Sequence, residues 1–199
     1  GPGNCVRISY DLPEPIKGVR SDCNRFFQTN VKAQAVHNFE VAAGFLLEDR
    51  PDYVQTPNQK LFYIWSGPQN NANLPWTLVL AAMGGVKTPE IRLRVLPLPM
   101  SALEKRAFAS TPVEWNVRFD VRLRVWLNTP NVSDGRIELL LDGRTVYERD
   151  GVLLRRDAKP LGRTRFGCQI ESGHVPDGRG PRHGARFVFD PAISELEPR

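Results

Sequence analysis

The chain has 199 residues, 41% of them apolar and 25% charged, which falls within the range of ordinary globular proteins. Its net charge of +5 comes from 21 Arg and 6 Lys against 22 acids, and an Arg-rich basic surface suits an anionic partner. No apolar run approaches the roughly 18 to 20 residues of a membrane-crossing helix, and no recognition-helix or RNA-binding pattern occurs, so neither a membrane nor a nucleic acid is expected as partner.

Gly1 to Gly3 read as a cleavage scar, behind which any leader would already have been removed. From there the predicted elements are almost all strands, marked by alternating apolar and polar residues between Gly, Pro, Asn and Asp. They are expected at Val6 to Tyr10, Arg25 to Gln28, Val36 to Leu47, Lys60 to Trp65, Trp76 to Met83 and around Ile91 to Val95. Ser101 to Phe108 is the one predicted helix, with Ser101 as cap and Glu104 three residues on. The clearest strand follows at residues 115 to 127, where Trp115, Val117, Phe119, Val121, Leu123, Val125 and Leu127 alternate with polar residues and Trp126. Strands at 136 to 141 and 144 to 149 flank Asp142-Gly143, a pair suited to a type I′ hairpin turn. Arg163 to Glu171 and Arg186 to Ile193 close the series.

About a dozen short strands with turn-rich connections predict an all-β, two-sheet antiparallel sandwich, with one short helix at most. No low-complexity tract divides the chain, so residues 1–199 are expected to form a single domain. Cys5, Cys23 and Cys168 allow at most one internal disulfide. They form no zinc template with the scattered His37, His174 and His183, and neither a metal nor another cofactor is expected.

Four groups of residues carry candidate chemistry. Arg118, Arg122, Arg124 and Trp126 project from one side of the 115–127 strand, a cationic strip ending in an indole that could pair carboxylates and stack on a sugar ring. The bland alternative is a solvated face with Arg stems lying over apolar surface. If Phe62 and Ile64 face the core, Gln59, Tyr63 and Trp65 turn outward on one row; the opposite assignment buries both rings and exposes Lys60. The polar row of Arg163 to Glu171 adds Arg165 and Gln169, and Gly18 to Arg25 places Arg20 and Arg25 in one short segment. Asn131-Val132-Ser133 is formally a glycosylation sequon, a triplet that often arises by chance.

The stretch W-N-V-R-F-D-V-R-L-R-V-W-L-N-T-P-N-V-S-D-G-R-I-E-L-L-L-D-G, followed by V-L-L-R-R, R-F-G-C-Q-I-E-S-G-H and R-F-V-F-D-P-A-I-S, resembles the concanavalin-A-like jelly-roll polysaccharide lyases that act on alginate or glucuronan. G-V-R-S-D-C-N-R stands where many such lyases carry an Arg-rich strand facing substrate. The resemblance implies secretion and β-elimination on a uronic-acid polymer held on a concave sheet. Arg20 or Arg25 would neutralise the carboxylate, and Tyr63 or a His would carry a proton. Two features depart from the pattern: Tyr63 and Trp65 stand where the lyases have Gln-x-His, and the late strand has no Tyr. The E-x-D-x-E cluster of related glucanases is also missing, which argues against a retaining hydrolase. A noncatalytic carbohydrate-binding module or lectin is the alternative on the same scaffold, and a structural or interaction protein with merely solubilising Arg strips is a third.

Overall fold

A computed structural model describes the backbone of residues 5–11, 22–28, 38–47, 56–65, 77–84, 89–95, 109–153, 164–171 and 183–199, with side chains at 5, 7, 38–47, 111–153 and 187–199. Twelve strands are present among the described residues: β1 (Cys5–Asp11), β2 (Asp22–Gln28), β3 (Asn38–Leu47), β4 (Thr56–Trp65), β5 (Thr77–Gly84), β6 (Pro89–Val95), β7 (Ala109–Pro112), β8 (Arg118–Trp126), β9 (Gly135–Leu141), β10 (Arg144–Val152), β11 (Thr164–Glu171) and β12 (His183–Glu195). They form two six-stranded sheets, ordered β1-β12-β3-β8-β9-β10 and β2-β11-β4-β5-β6-β7. Every pairing is antiparallel, and the chain passes between the sheets several times, as a jelly roll does. The predicted helix at Ser101 to Phe108 lies outside the described residues.

Period-two patterning fixes which face of the first sheet is buried. Phe39, Val41, Ala43, Phe45 and Leu47 of β3 point inward together with Phe119, Val121, Leu123 and Val125 of β8 and Ile137 and Leu139 of β9. The Phe45 and Phe119 rings meet with centroids 5.9 Å apart. Each of the Val, Leu, Ile and Phe side chains in this layer contributes about 1.5 to 3 kcal/mol on burial.

The hairpin at Asp142-Gly143 forms as expected. Both residues have left-handed backbones, φ 49° and 76°, which lets Leu141 pair directly with Arg144.

Three differences from the expected strands bear on the sheets. β8 begins at Arg118 rather than 115, because Asn116 adopts a left-handed conformation (φ 59°) and donates its N–H to the Leu47 carbonyl at 2.9 Å. Val117 consequently stays 48% exposed instead of joining the core row. β7, only four residues long, pairs with β6 and was not anticipated, since Ala-Ser-Thr-Pro is too short to show a period. β10 extends to Val152 and slips register twice against β9, between Thr145 and Tyr147 and between Asp150 and Val152.

Candidate functional site

The outer face of the first sheet holds the predicted strip on β8. Arg124 stands opposite Glu40 of β3 and Glu138 of β9, while Arg122 stands opposite Ala42 and Leu140. Arg124 Nε donates to Glu40 at 2.7 Å and its Nη1 lies 3.6 Å from Glu138; Arg122 is 3.6 Å from Glu40. Arg136 donates to Glu138 and bonds Glu148 and Asp150, both at 2.9 Å, and Arg199 reaches Asp150 at 2.9 Å. Arg118 holds Asp120 with two donors. The hydrogen bond from Glu40 raises the Arg124 pKa, that from Glu138 raises the Arg136 pKa, and that from Arg199 holds Asp150 below the ordinary carboxylate value.

Five guanidinium groups in this lattice meet five carboxylates, so their formal charges cancel. The strip therefore gives an acidic polymer no surplus positive charge. Arg136 and Arg199 also lie 5.8 and 5.6 Å from the centre of the Trp126 ring, occupying space that a stacked sugar would use.

The other sequence-predicted residues fall in the second sheet, where register determines which of them share a face. Directly paired residues of antiparallel strands stand on the same side. One row runs Gln28 (β2), Arg165 (β11), Tyr63 (β4), Val79 (β5) and Arg94 (β6). A second runs Asn24, Gln169, Lys60, Ala81, Arg92 and Ser110 across all six strands. Trp65, opposite Thr77, lies on this face too, two residues beyond Tyr63. At the other end stand Asp22 opposite Glu171, and Glu90 opposite Met83.

A bulge in β4 decides the membership of the second row. Phe62 pairs with Phe166 and Leu80, whereas Lys60 pairs with Gln169 and Ala81; on both neighbouring strands these partners are an odd number of positions apart. Both neighbours thus require a change of face around Leu61. Lys60 joins the face of Tyr63, while Gln59, opposite Ile170 and Ala82, falls on the reverse face. That reverse face carries the row Phe27, Phe166, Phe62, Leu80, Leu93 and Ala109.

Of the predicted residues, the register brings together Tyr63, Trp65, Arg165 and Gln169. It puts Gln59 on the opposite face of the same sheet. Arg25, opposite Cys168, is also on that opposite face. Arg118, Arg122, Arg124 and Trp126 are in the other sheet altogether, so the expected single binding face is divided. Arg20 lies outside the described residues. Sequence reasoning did not assign Asn24, Gln28, Lys60, Arg92 or Arg94 to a site. The alternation of Arg92 and Arg94 around Leu93 was visible, but only strand order brings them level with Tyr63.

At ~4.8 Å per strand, the second row spans ~24 Å, with Lys60 and Arg92 ~10 Å apart and Arg165 and Arg94 ~14 Å apart in the first. Four basic residues, three amides, a Tyr and no acid occupy these two rows. Such a face can hold an extended polymer laid across the strands and bearing negative charge at intervals.

No family model and no curated protein matches the chain. Solved structures do. The marine PL-14 alginate lyase from Aplysia kurodai superposes with a TM-score of 0.65 at 14% identity, over 96% of this chain and 83% of that one. The endo-β-1,4-glucuronan lyase of Trichoderma reesei gives 0.61 at 12% identity, over 96% and 81%. The Emp46p carbohydrate-recognition domain gives 0.53 at 10%, over 95% and 86%. The chain therefore has the jelly-roll fold of these lyases, one that also builds a sugar-recognition domain.

Proposed function

We propose that this protein binds an anionic, uronic-acid polysaccharide across the polar face of the second sheet and acts on it as a lyase by β-elimination. The observation that carries this reading is the pair of rows holding Lys60, Arg92, Arg94 and Arg165 around Tyr63 without an intervening acid. Arg165, next to Tyr63 in its row, replaces Arg25 as the group that neutralises a uronate carboxylate, and Lys60 adds a second positive charge. Neutralisation makes the C5 proton removable near neutral pH, and Tyr63 carries a proton to or from the reacting sugar. Trp65 stacks on a neighbouring ring, while Gln169, Asn24 and Gln28 bond hydroxyls. Residues 1–199 act as a single domain outside the cell, where such polymers occur. The alginate and glucuronan lyases named above support the substrate class by their fold.

The rings at Tyr63 and Trp65, two residues apart on one face, equally suit a noncatalytic carbohydrate-binding module or lectin. Incubation with alginate and glucuronan, followed by ultraviolet absorbance of the unsaturated product, separates the two. A rise abolished by Tyr63→Phe establishes the lyase. Binding without a rise establishes the module, and no binding to any uronate polymer removes both readings.

A further inference from the structure

Asn131-Val132-Ser133 is the single Asn-x-Ser/Thr triplet in the sequence with a non-proline centre and no proline in third place. It lies in the connection between β8 and β9, at one end of the first sheet. We propose that Asn131 is an N-linked glycan acceptor, modified when the chain enters a secretory compartment.

The connection is a firmly built turn that presents the triplet outward. Thr129 anchors its base, donating its N–H and its hydroxyl to the two carboxylate oxygens of Asp134, both at 2.7 Å. The Val132 N–H closes the turn on the Thr129 carbonyl at 2.9 Å. Asn131, Val132 and Ser133 are all exposed. Among the described residues the Asn131 side chain makes no hydrogen bond, so its amide nitrogen is free of competing contacts.

Asn131 has φ 63°, and that conformation by itself favours Asn. The weight rests on two further facts. Ser133 supplies an exposed hydroxyl at the required third position, which the turn itself does not need. Val132 is also 49% exposed. Val132, one of the four large apolar side chains exposed among the described residues, thus stands inside the triplet, where an attached sugar core would shield it.

The reaction joins Asn131 Nδ2 to the anomeric carbon of an oligosaccharide donated by a lipid pyrophosphate. The bond from that carbon to the pyrophosphate oxygen breaks, the pyrophosphate leaves with the electron pair, and the amide nitrogen gives up one proton. No oxidation is involved.

The test is cell-free translation of the full chain, behind a cleavable leader, in the presence of microsomes. Only the protease-protected fraction is scored, by intact mass before and after peptide:N-glycosidase F. The expected result is a glycan on the protected wild-type chain, removed by the enzyme with conversion of Asn131 to Asp, and absent from both Asn131→Gln and Ser133→Ala. Protected wild-type chain at its bare polypeptide mass overturns the proposal, as does a shift that persists in Asn131→Gln. The assay involves no uronate, so its outcome is independent of the sugar-binding reading.

Discussion

Lys60 and Tyr63 share a face of the second sheet although they are three positions apart in sequence, because the bulge at Leu61 shifts the alternation: Lys60 stands level with Gln169 and Tyr63 with Arg165, while Gln59, level with Ile170, is left on the reverse face. The face that gains Lys60 is the one with Tyr63, and this determines which basic residues a bound polymer would meet.

Single substitutions distinguish the two sheets. Removing a charge-assisted contact costs about 1.5 to 3 kcal/mol, so Arg165→Ala or Lys60→Ala is expected to weaken binding of alginate or a related uronate polymer by about tenfold or more. Arg122→Ala, in the charge-balanced lattice of the other sheet, should change it by about twofold or less. Isothermal titration calorimetry at two salt concentrations measures both. Equal losses in all three variants would show that bulk charge, rather than the two rows, holds the polymer.

Glu40 accepts from Arg124 and faces Arg122 while its own side chain is only 13% exposed. Glu40→Gln leaves two cations facing one another with a weaker acceptor between them. A loss of about 1 to 2 kcal/mol is expected, read as a lower urea midpoint with unchanged slope.

Asp150 has its pKa lowered in the folded chain, first by the hydrogen bond from Arg199. The sign follows from linkage: its contribution is fully present above the ordinary carboxylate value and disappears as pH falls through the lowered folded value. Asp150→Asn should therefore lower the urea midpoint at neutral pH, with the gap from wild type closing as pH falls through the lowered folded value. Because Asp150 is exposed, added salt should diminish the difference.

Gly143 holds φ 76° with open space where a Cβ would stand. Gly143→Ala therefore introduces backbone strain and no clash, and about 1 kcal/mol of destabilisation is expected by chemical denaturation. A change near zero would mean that the hairpin relaxes to another turn.

Much of the fold was legible because period-two alternation marks both the strand and its buried face, as at Phe119, Val121, Leu123 and Val125. Asp142-Gly143 was equally plain, since few dipeptides tolerate two successive left-handed residues. Pairing between distant strands leaves no such local mark. Arg124 looked like an unopposed cation because Glu40 is 84 residues away in sequence. Gln59 looked level with Tyr63 because a bulge is invisible to a strict two-residue count. Arg92 and Arg94 were noticed, but their proximity to Tyr63 depends on β5 lying between β4 and β6.

The strand ending the first sheet's pairing order, β10, slips at Val146 and again at Gly151, and it carries Arg144, Glu148, Arg149 and Asp150. A strand from a second molecule can lengthen a sheet only where it finds an unbroken series of backbone donors and acceptors without opposing charge. β10 offers neither, so crowded copies of the chain are hindered from stacking end to end into fibrils through that margin.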